Sequence, residues 1–202
     1  MTRLYVLRHG ETDWNVQGRL QGTSDVPLNA RGIEQAQRAA RALTAVLSPH
    51  TVIVSSPLAR AHVTAQAVAD SRGKGFATDE RLIERAYGVW EGLTEDVRSA
   101  RDPQEHLRWQ DRKEPAIEGY ESHLDVATRM NAALDEWLPK AADADLLFVT
   151  HGSSARMLTL SLLGLPTDTH RLSSLENAAW SRLLPVPDAP WSLDRHNIGA
   201  DG

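Results

Sequence analysis

Two histidine-glycine pairs, in LRHGETDWN near the start of the chain and in FVTHGSSARML more than 140 residues later, each close a short apolar run. The first run delivers Arg8, His9 and Gly10, and the second delivers Thr150, His151 and Gly152. A third apolar run over residues 51–55 ends at Ser55-Ser56, with Arg60 soon after. Two guanidiniums and two imidazoles describe an anion pocket, because arginine matches a phosphate through paired N–H groups and helix N-terminal amides add positive charge. Neutral imidazole also brings a lone pair that can attack or exchange a proton near neutral pH. Binding alone does not require that; phosphoryl transfer with one histidine as nucleophile does. A lone histidine at a strand end is commonly turn chemistry. Two such ends, plus Arg60 in the first turn of a helix, are harder to explain that way.

Transfer from a monoester also requires a proton donor for the leaving alkoxide. The stretch RLIERAYGVWEG offers Glu84 and Glu91, each near a glycine. With 24% of residues charged, a glutamate is ordinarily a solvated surface group. Beside a phosphate dianion, a carboxyl group favours its protonated form and can act as general acid. The residues alone leave Glu84 and Glu91 both open. A serine hydrolase is the rival from another class, since Ser153 and Ser154 follow Gly152. Ala155 and Arg156 stand where a Gly-x-Ser-x-Gly elbow needs other residues. The sequence carries no His/Asp cluster with metal-ligand spacing, so neither a metal nor a cofactor is expected.

These side chains need strands that end together. Residues 3–7, 51–55 and 146–150 have the continuous apolar character of buried strands. Between them, residues 30–47 repeat Ile33, Ala36, Ala39, Ala40, Leu43 and Leu47 along one side, with Asn29 as cap. Ser56-Pro57 resembles an N-cap and first-turn proline ahead of an alanine-rich helix over residues 59–69. Ser122 with Asp125 starts a helix to about Leu138, which Pro139 follows, and residues 153–163 form another, ended by Gly164 and Pro166. Strand-helix alternation predicts an α/β fold with a mostly parallel central sheet and helices on both faces. Ligands in such folds bind outside the carboxyl ends of the strands, the edge where the three runs end. Residues 178–184 and 191–195 are further strands, around the proline-rich PVPDAP of a sheet edge. Residues 93–120 break the rhythm and predict a helical cap insertion within one domain over 1–202, with a loose terminus over 199–202.

Composition bounds the partners. At 202 residues, 41% hydrophobic and without cysteine, the chain builds one ordinary core with no disulfide or thiol chemistry. A net charge of −5 argues against nucleic acid as partner, and no apolar run is long enough to span a membrane. A small phosphorylated substrate, a cytoplasmic location and an open question of homodimerisation follow.

LRHGETDWN, QGTSDVPLNARGIEQA, VSSPLARAHVTAQ, RLIERAYGVWEG and FVTHGSSARML together resemble, in order, the signature blocks of the histidine phosphatase superfamily, which includes phosphoglycerate mutases. The resemblance implies His9 as the nucleophile that becomes phosphohistidine, with Arg8, Arg60 and a protonated His151 holding the transferred group. It also implies Glu84, rather than Glu91, as proton donor, and phosphate or substrate contacts from Asn15, Gln21, Gly22 and Gly152. Compactness and GVWEG resemble the phosphatase branch, which makes metal-independent hydrolysis the expected reaction, with a mutase as alternative and a non-catalytic phosphate-binding module as the rival. GLT, ESHLDVATR and LENAAWSRL resemble members of the glucosyl-3-phosphoglycerate phosphatase type, although Tyr120 stands where the family often has glycine.

Elsewhere the plainer readings prevail. Trp137 and Trp180 are expected in the core, while Trp109 in the insertion is a candidate for the pocket mouth. Arg108, Arg112 and Lys113, interspersed with Asp111 and Glu114, predict a solvated face. His50, His62, His106, His123, His170 and His196 lack a strand end and are expected to be surface or structural.

Overall fold

Residues 2–199 are described in the computed structural model; the rest of the expected loose terminus, 200–202, lies outside them. Strand β1 (Leu4–Arg8) alternates its side chains between two cores, as a doubly covered strand must. Leu4 and Val6 pack with Phe148, Met130 and Leu158, while Tyr5 and Leu7 pack with Ala39, Leu43, Ala61 and Val68. The first core lies under α6 (His123–Lys140) and α7 (Gly152–Leu162), the second under α2 (Ala30–Val46) and α3 (Ala59–Ser71).

The six-stranded sheet has the order β3-β2-β4-β1-β5-β6. Strands β2 (Val52–Ser55) and β4 (Leu146–Thr150) run parallel to β1, with Arg8 opposite Thr150 and Ser55 opposite Val149. This register brings the three polar strand ends into one row. A two-residue β3 (Ala77–Thr78) extends the parallel side, too short to leave an apolar run in the sequence. On the other side β5 (Trp180–Val186) runs antiparallel to β1, and β6 (Ala189–Ile198) returns antiparallel to β5. The sheet is therefore mostly parallel with an antiparallel hairpin at one edge. The expected strand over 191–195 is longer than anticipated because a left-handed Asp188 turns the chain tightly.

Local signals fared unevenly. Asn29 caps α2 by accepting from the Gly32 N–H, and Ser122 caps α6 by accepting from the Asp125 N–H. Ile33, assigned to the buried side of α2, is 44% exposed, since it falls at the rim of the face that meets α3. The cap of α3 is Leu58, not Ser56, and it makes no side-chain bond; Pro57 lies in the bend ahead of the helix rather than at its first position. Pro139 lies inside the last turn of α6 rather than after it. The insertion forms α4 (Glu95–Arg101) and α5 (Pro103–Gln110), pinned by the Trp90 indole donating to Asp102 at 2.7 Å and by Trp109 edge-on to Trp90. As expected, Trp180 is buried; Trp137 packs partly buried against the core. A four-residue α1 (Asp13–Val16) follows the first strand end. Among the described residues no helix is long and apolar enough to cross a membrane.

The insertion closes back on the sheet at Gly88. This residue has φ +55°, and a Cβ there would stand 1.9 Å from the Glu118 carbonyl oxygen. We expect Gly88→Ala to cost at least about 1–2 kcal/mol from the left-handed backbone alone. The check is a fall in the urea midpoint of unfolding; an unchanged midpoint refutes the constraint.

Candidate active site

At the β1 end, the His9 N–H donates to the Thr150 carbonyl at 3.0 Å, continuing the β1–β4 ladder one residue past the strands. His9 and His151 consequently lie side by side, ring centroids 5.1 Å apart. His9 Nδ1 lies 2.6 Å from the Gly10 carbonyl oxygen. A carbonyl can only accept, so Nδ1 carries the proton and Nε2 keeps its lone pair. His151 Nε2 meets Ser56 Oγ at 2.8 Å, and that hydroxyl accepts from the Leu58 N–H. The Ser56 hydroxyl can donate to Nε2 or accept from it; in the tautomer where it donates, the ring proton sits on Nδ1, which is buried with no partner among the described residues.

The cations differ in burial, Arg8 being half-buried. Arg60 is fully enclosed, donating to the Ser24 and Gly22 carbonyls at 2.8 Å each, while Arg8 donates to the Leu175 carbonyl at 2.7 Å. Nε of each arginine is buried without a partner among the described residues. Two guanidinium N–H groups and, in that tautomer, His151 Nδ1 are thus unpaired donors beside His9, which is what an oxyanion requires.

Burial, then Arg8 and Arg60, push His9 well below the ordinary histidine range. His151 is pushed down likewise, by burial first and then Arg60, His9 and Arg8. Desolvation and the neighbouring cations thus disfavour a second proton on the His151 ring, against the sense in which a phosphate dianion would act. Attack by His9 needs the neutral ring, so the limb that His9 sets in the acid range of kcat/KM should lie below pH 6.5. Arg8→Gln, which removes a cation, should move the His9 titration upward. NMR titration of the His9 ring checks the sign, and a downward shift refutes it.

Glu84 and Glu91 differ sharply in setting. Glu84 is 8% exposed, its carboxylate accepting from the Arg85, Ser153 and Ser154 N–H groups at 2.8–3.0 Å. Two of these donors belong to the first turn of α7, directly after His151. Glu91 instead ties down a loop, accepting from the Thr23, Ser24 and Tyr87 N–H groups at 3.0–3.2 Å. The Ser154 hydroxyl donates to the Ile83 carbonyl at 2.7 Å, an occupied role that suits no nucleophile.

Arg8, His9, Arg60 and Glu84 line one cavity of about 400 Å³, joined by Asn15, Gln21, Gly22 and Gly152. His151 lies just behind His9 and is fully buried. A Cβ at Gly152 would meet Arg8 Nε at 3.5 Å, an ordinary contact, so the glycine lies against Arg8 without being required by it. Trp109 is at the cavity, as its place in the insertion suggested. Arg112 and Lys113, read as a solvated face, line it too, as do His123 and His170. The approach of Arg112 and Lys113 depends on how the insertion folds over the sheet edge, and that of His123 and His170 on where the start of α6 and the segment after α7 lie, none of which their local sequence encodes. Among the described residues no group of three or more His, Asp or Glu side chains could hold a metal ion.

A sequence profile of the histidine phosphatase superfamily (branch 1) matches residues 4–199. The chain belongs to this superfamily. Membership, together with the glucosyl-3-phosphoglycerate phosphatases it resembles, makes it a phosphatase-type hydrolase. It is 37% identical to a glucosyl-3-phosphoglycerate phosphatase of Mycolicibacterium vanbaalenii, over 98% of this chain and 95% of that one. It is also 37% identical to a Yersinia pestis protein named "Probable phosphoglycerate mutase GpmB", over 95% of this chain and 88% of that one. Among solved structures, a mycobacterial glucosyl-3-phosphoglycerate phosphatase superposes with a TM-score of 0.90 at 33% identity, over 98% of this chain and all of that one.

Proposed function

We propose that this histidine phosphatase hydrolyses a small phosphomonoester through a phosphohistidine at His9, with no metal step. The observation that carries the reading is the His9 ring, buried, neutral, with Nδ1 bonded to Gly10 and Nε2 bare. Nε2 attacks phosphorus as the P–O bond to the leaving group breaks. Glu84 gives its proton to the departing oxygen. A water then attacks the phosphohistidine, passing a proton to Glu84 and releasing phosphate. Arg8, Arg60 and His151 Nδ1–H hold the three equatorial oxygens, where the charge of a loose transition state resides. Asn15, Gln21, Gly22 and Gly152 line the way in for the substrate.

Arg85 supports a narrower class. Its Nη1 donates to the Tyr120 hydroxyl at 2.6 Å, while Nε and Nη2, the side-on edge of the fork, are buried without partners among the described residues. That edge suits a second acidic group on the substrate, such as the carboxylate of a phosphoglycerate. The relatives named for phosphoglycerate and glucosyl-3-phosphoglycerate support the same class.

The test is a panel of 3-phosphoglycerate, its glucosylated form, glycerol 3-phosphate and sugar phosphates, read as released phosphate. We expect kcat/KM for the carboxylate-bearing esters to exceed that for glycerol 3-phosphate by about tenfold or more. Conversion of 3-phosphoglycerate to 2-phosphoglycerate without phosphate release would favour the mutase instead. Binding without turnover of any ester would favour the non-catalytic module.

A further inference from the structure

We infer that Asn177, which does not line the cavity, is a positioning residue that holds both the His9 loop and the Asn15 amide in their working orientation. The inference rests on the proposed phosphohistidine chemistry and names a further residue on which it depends.

Topology puts Asn177 there. Strand β5 is antiparallel to β1, with Leu7 opposite Trp180. Residues just before β5 must therefore lie beside those just after β1. Arg8 N–H donates to the Ala179 carbonyl, and Ala178 N–H donates to the His9 carbonyl, both at 3.0 Å. Ala178 has φ +57°, a left-handed residue that turns the chain so that the half-buried Asn177 side chain faces back on the β1 end.

Its amide nitrogen reaches three oxygens, the His9 and Gly10 carbonyls and Asn15 Oδ1, each at 3.2 Å. The Gly10 carbonyl is the same oxygen that takes the His9 Nδ1 proton. By donating to it, Asn177 fixes the acceptor against which the ring is set, and so the direction of the Nε2 lone pair. Asn15 Oδ1 also accepts from the Thr12 N–H at 3.1 Å. With its oxygen committed to these donors, the Asn15 amide keeps its NH2 end for other acceptors. Asn15 lines the cavity, so one buttress serves both a nucleophile and a substrate contact.

Two variants test this, with p-nitrophenyl phosphate turnover followed from mildly acidic to mildly alkaline pH. Asn177→Ala should lower kcat about ten- to hundred-fold, the scale of a small misplacement of a reacting group. Asn177→Asp keeps the shape but, when ionised, sets carboxylate oxygens against three oxygen acceptors. When protonated it recovers one donor. The ratio of Asn177→Asp to wild-type kcat should therefore climb as pH falls, while the Asn177→Ala ratio stays flat. Replacing a residue that only holds a loop together lowers the urea midpoint of unfolding in step with kcat, whereas replacing a positioning residue lowers kcat at a midpoint close to wild type. Asn177→Ala within about twofold of wild type, or an Asn177→Asp ratio that does not respond to pH, overturns the inference alone. A wild type with neither turnover nor phosphoenzyme overturns the proposed chemistry, and this inference with it.

Discussion

His9→Ala should abolish turnover, lowering kcat by about 10⁴-fold or more, because the variant has no atom on which to carry the phosphoryl group. The expected signature is specific. Wild-type protein quenched in alkali during turnover should retain covalent, acid-labile phosphate, and His9→Ala should retain none. Inorganic phosphate should still bind the variant, since Arg8 and Arg60 are each anchored to backbone carbonyls without help from the His9 ring. Residual turnover near the wild-type rate would refute His9 as nucleophile. Labelling that persists in the variant would move the phosphoenzyme to another residue.

Glu84→Gln should produce the second-largest loss, and its size should depend on the leaving group. An alkyl phosphate departs as a strongly basic alkoxide and needs the proton, so its hydrolysis should slow by about 10²–10⁴-fold. p-Nitrophenolate is a far weaker base and departs without help. With that substrate the variant should still phosphorylate His9 and then stall, for want of a base to activate water. A rapid release of p-nitrophenolate equal to the enzyme present, followed by slow turnover, is the expected trace. Equal slowing on both esters with no burst would remove Glu84 from the acid role. Glu91→Gln makes a useful partner, because its carboxylate bonds three N–H groups of the surrounding loops; its loss should appear mainly as reduced stability.

The parts of this site visible in sequence are those governed by short-range rules. A parallel strand buried on both faces must be apolar, so β1, β2 and β4 stand out, and the polar residue after each is marked by contrast. Glu84 was narrowed by family resemblance, since its bonds to α7 join residues 69 and 70 positions apart. Arg112, Lys113, His123 and His170 left no local trace. Interspersed charges look the same whether they face water or a cavity, and only the path of the insertion decides. Ser56 misled for a related reason: its hydroxyl, apt for a helix cap, is used by His151 across 95 residues of chain. Asn177 carried no signal beyond its place ahead of a strand, and its role emerges only once β5 is known to pair with β1.

The position of β1 in the sheet has a consequence for biosynthesis. The strand that leads to His9 is synthesised well before either of its neighbours in the sheet, since β4 and β5 both come from beyond residue 145. Leu4 finds its parallel partner at Leu146 and its antiparallel one at Leu183. Nascent chains that carry His9 therefore cannot assemble the pocket until β4 and β5 have also been made, and such distant pairings form slowly. Translation that stops before β4 and β5 leaves His9 without the strands that set its position.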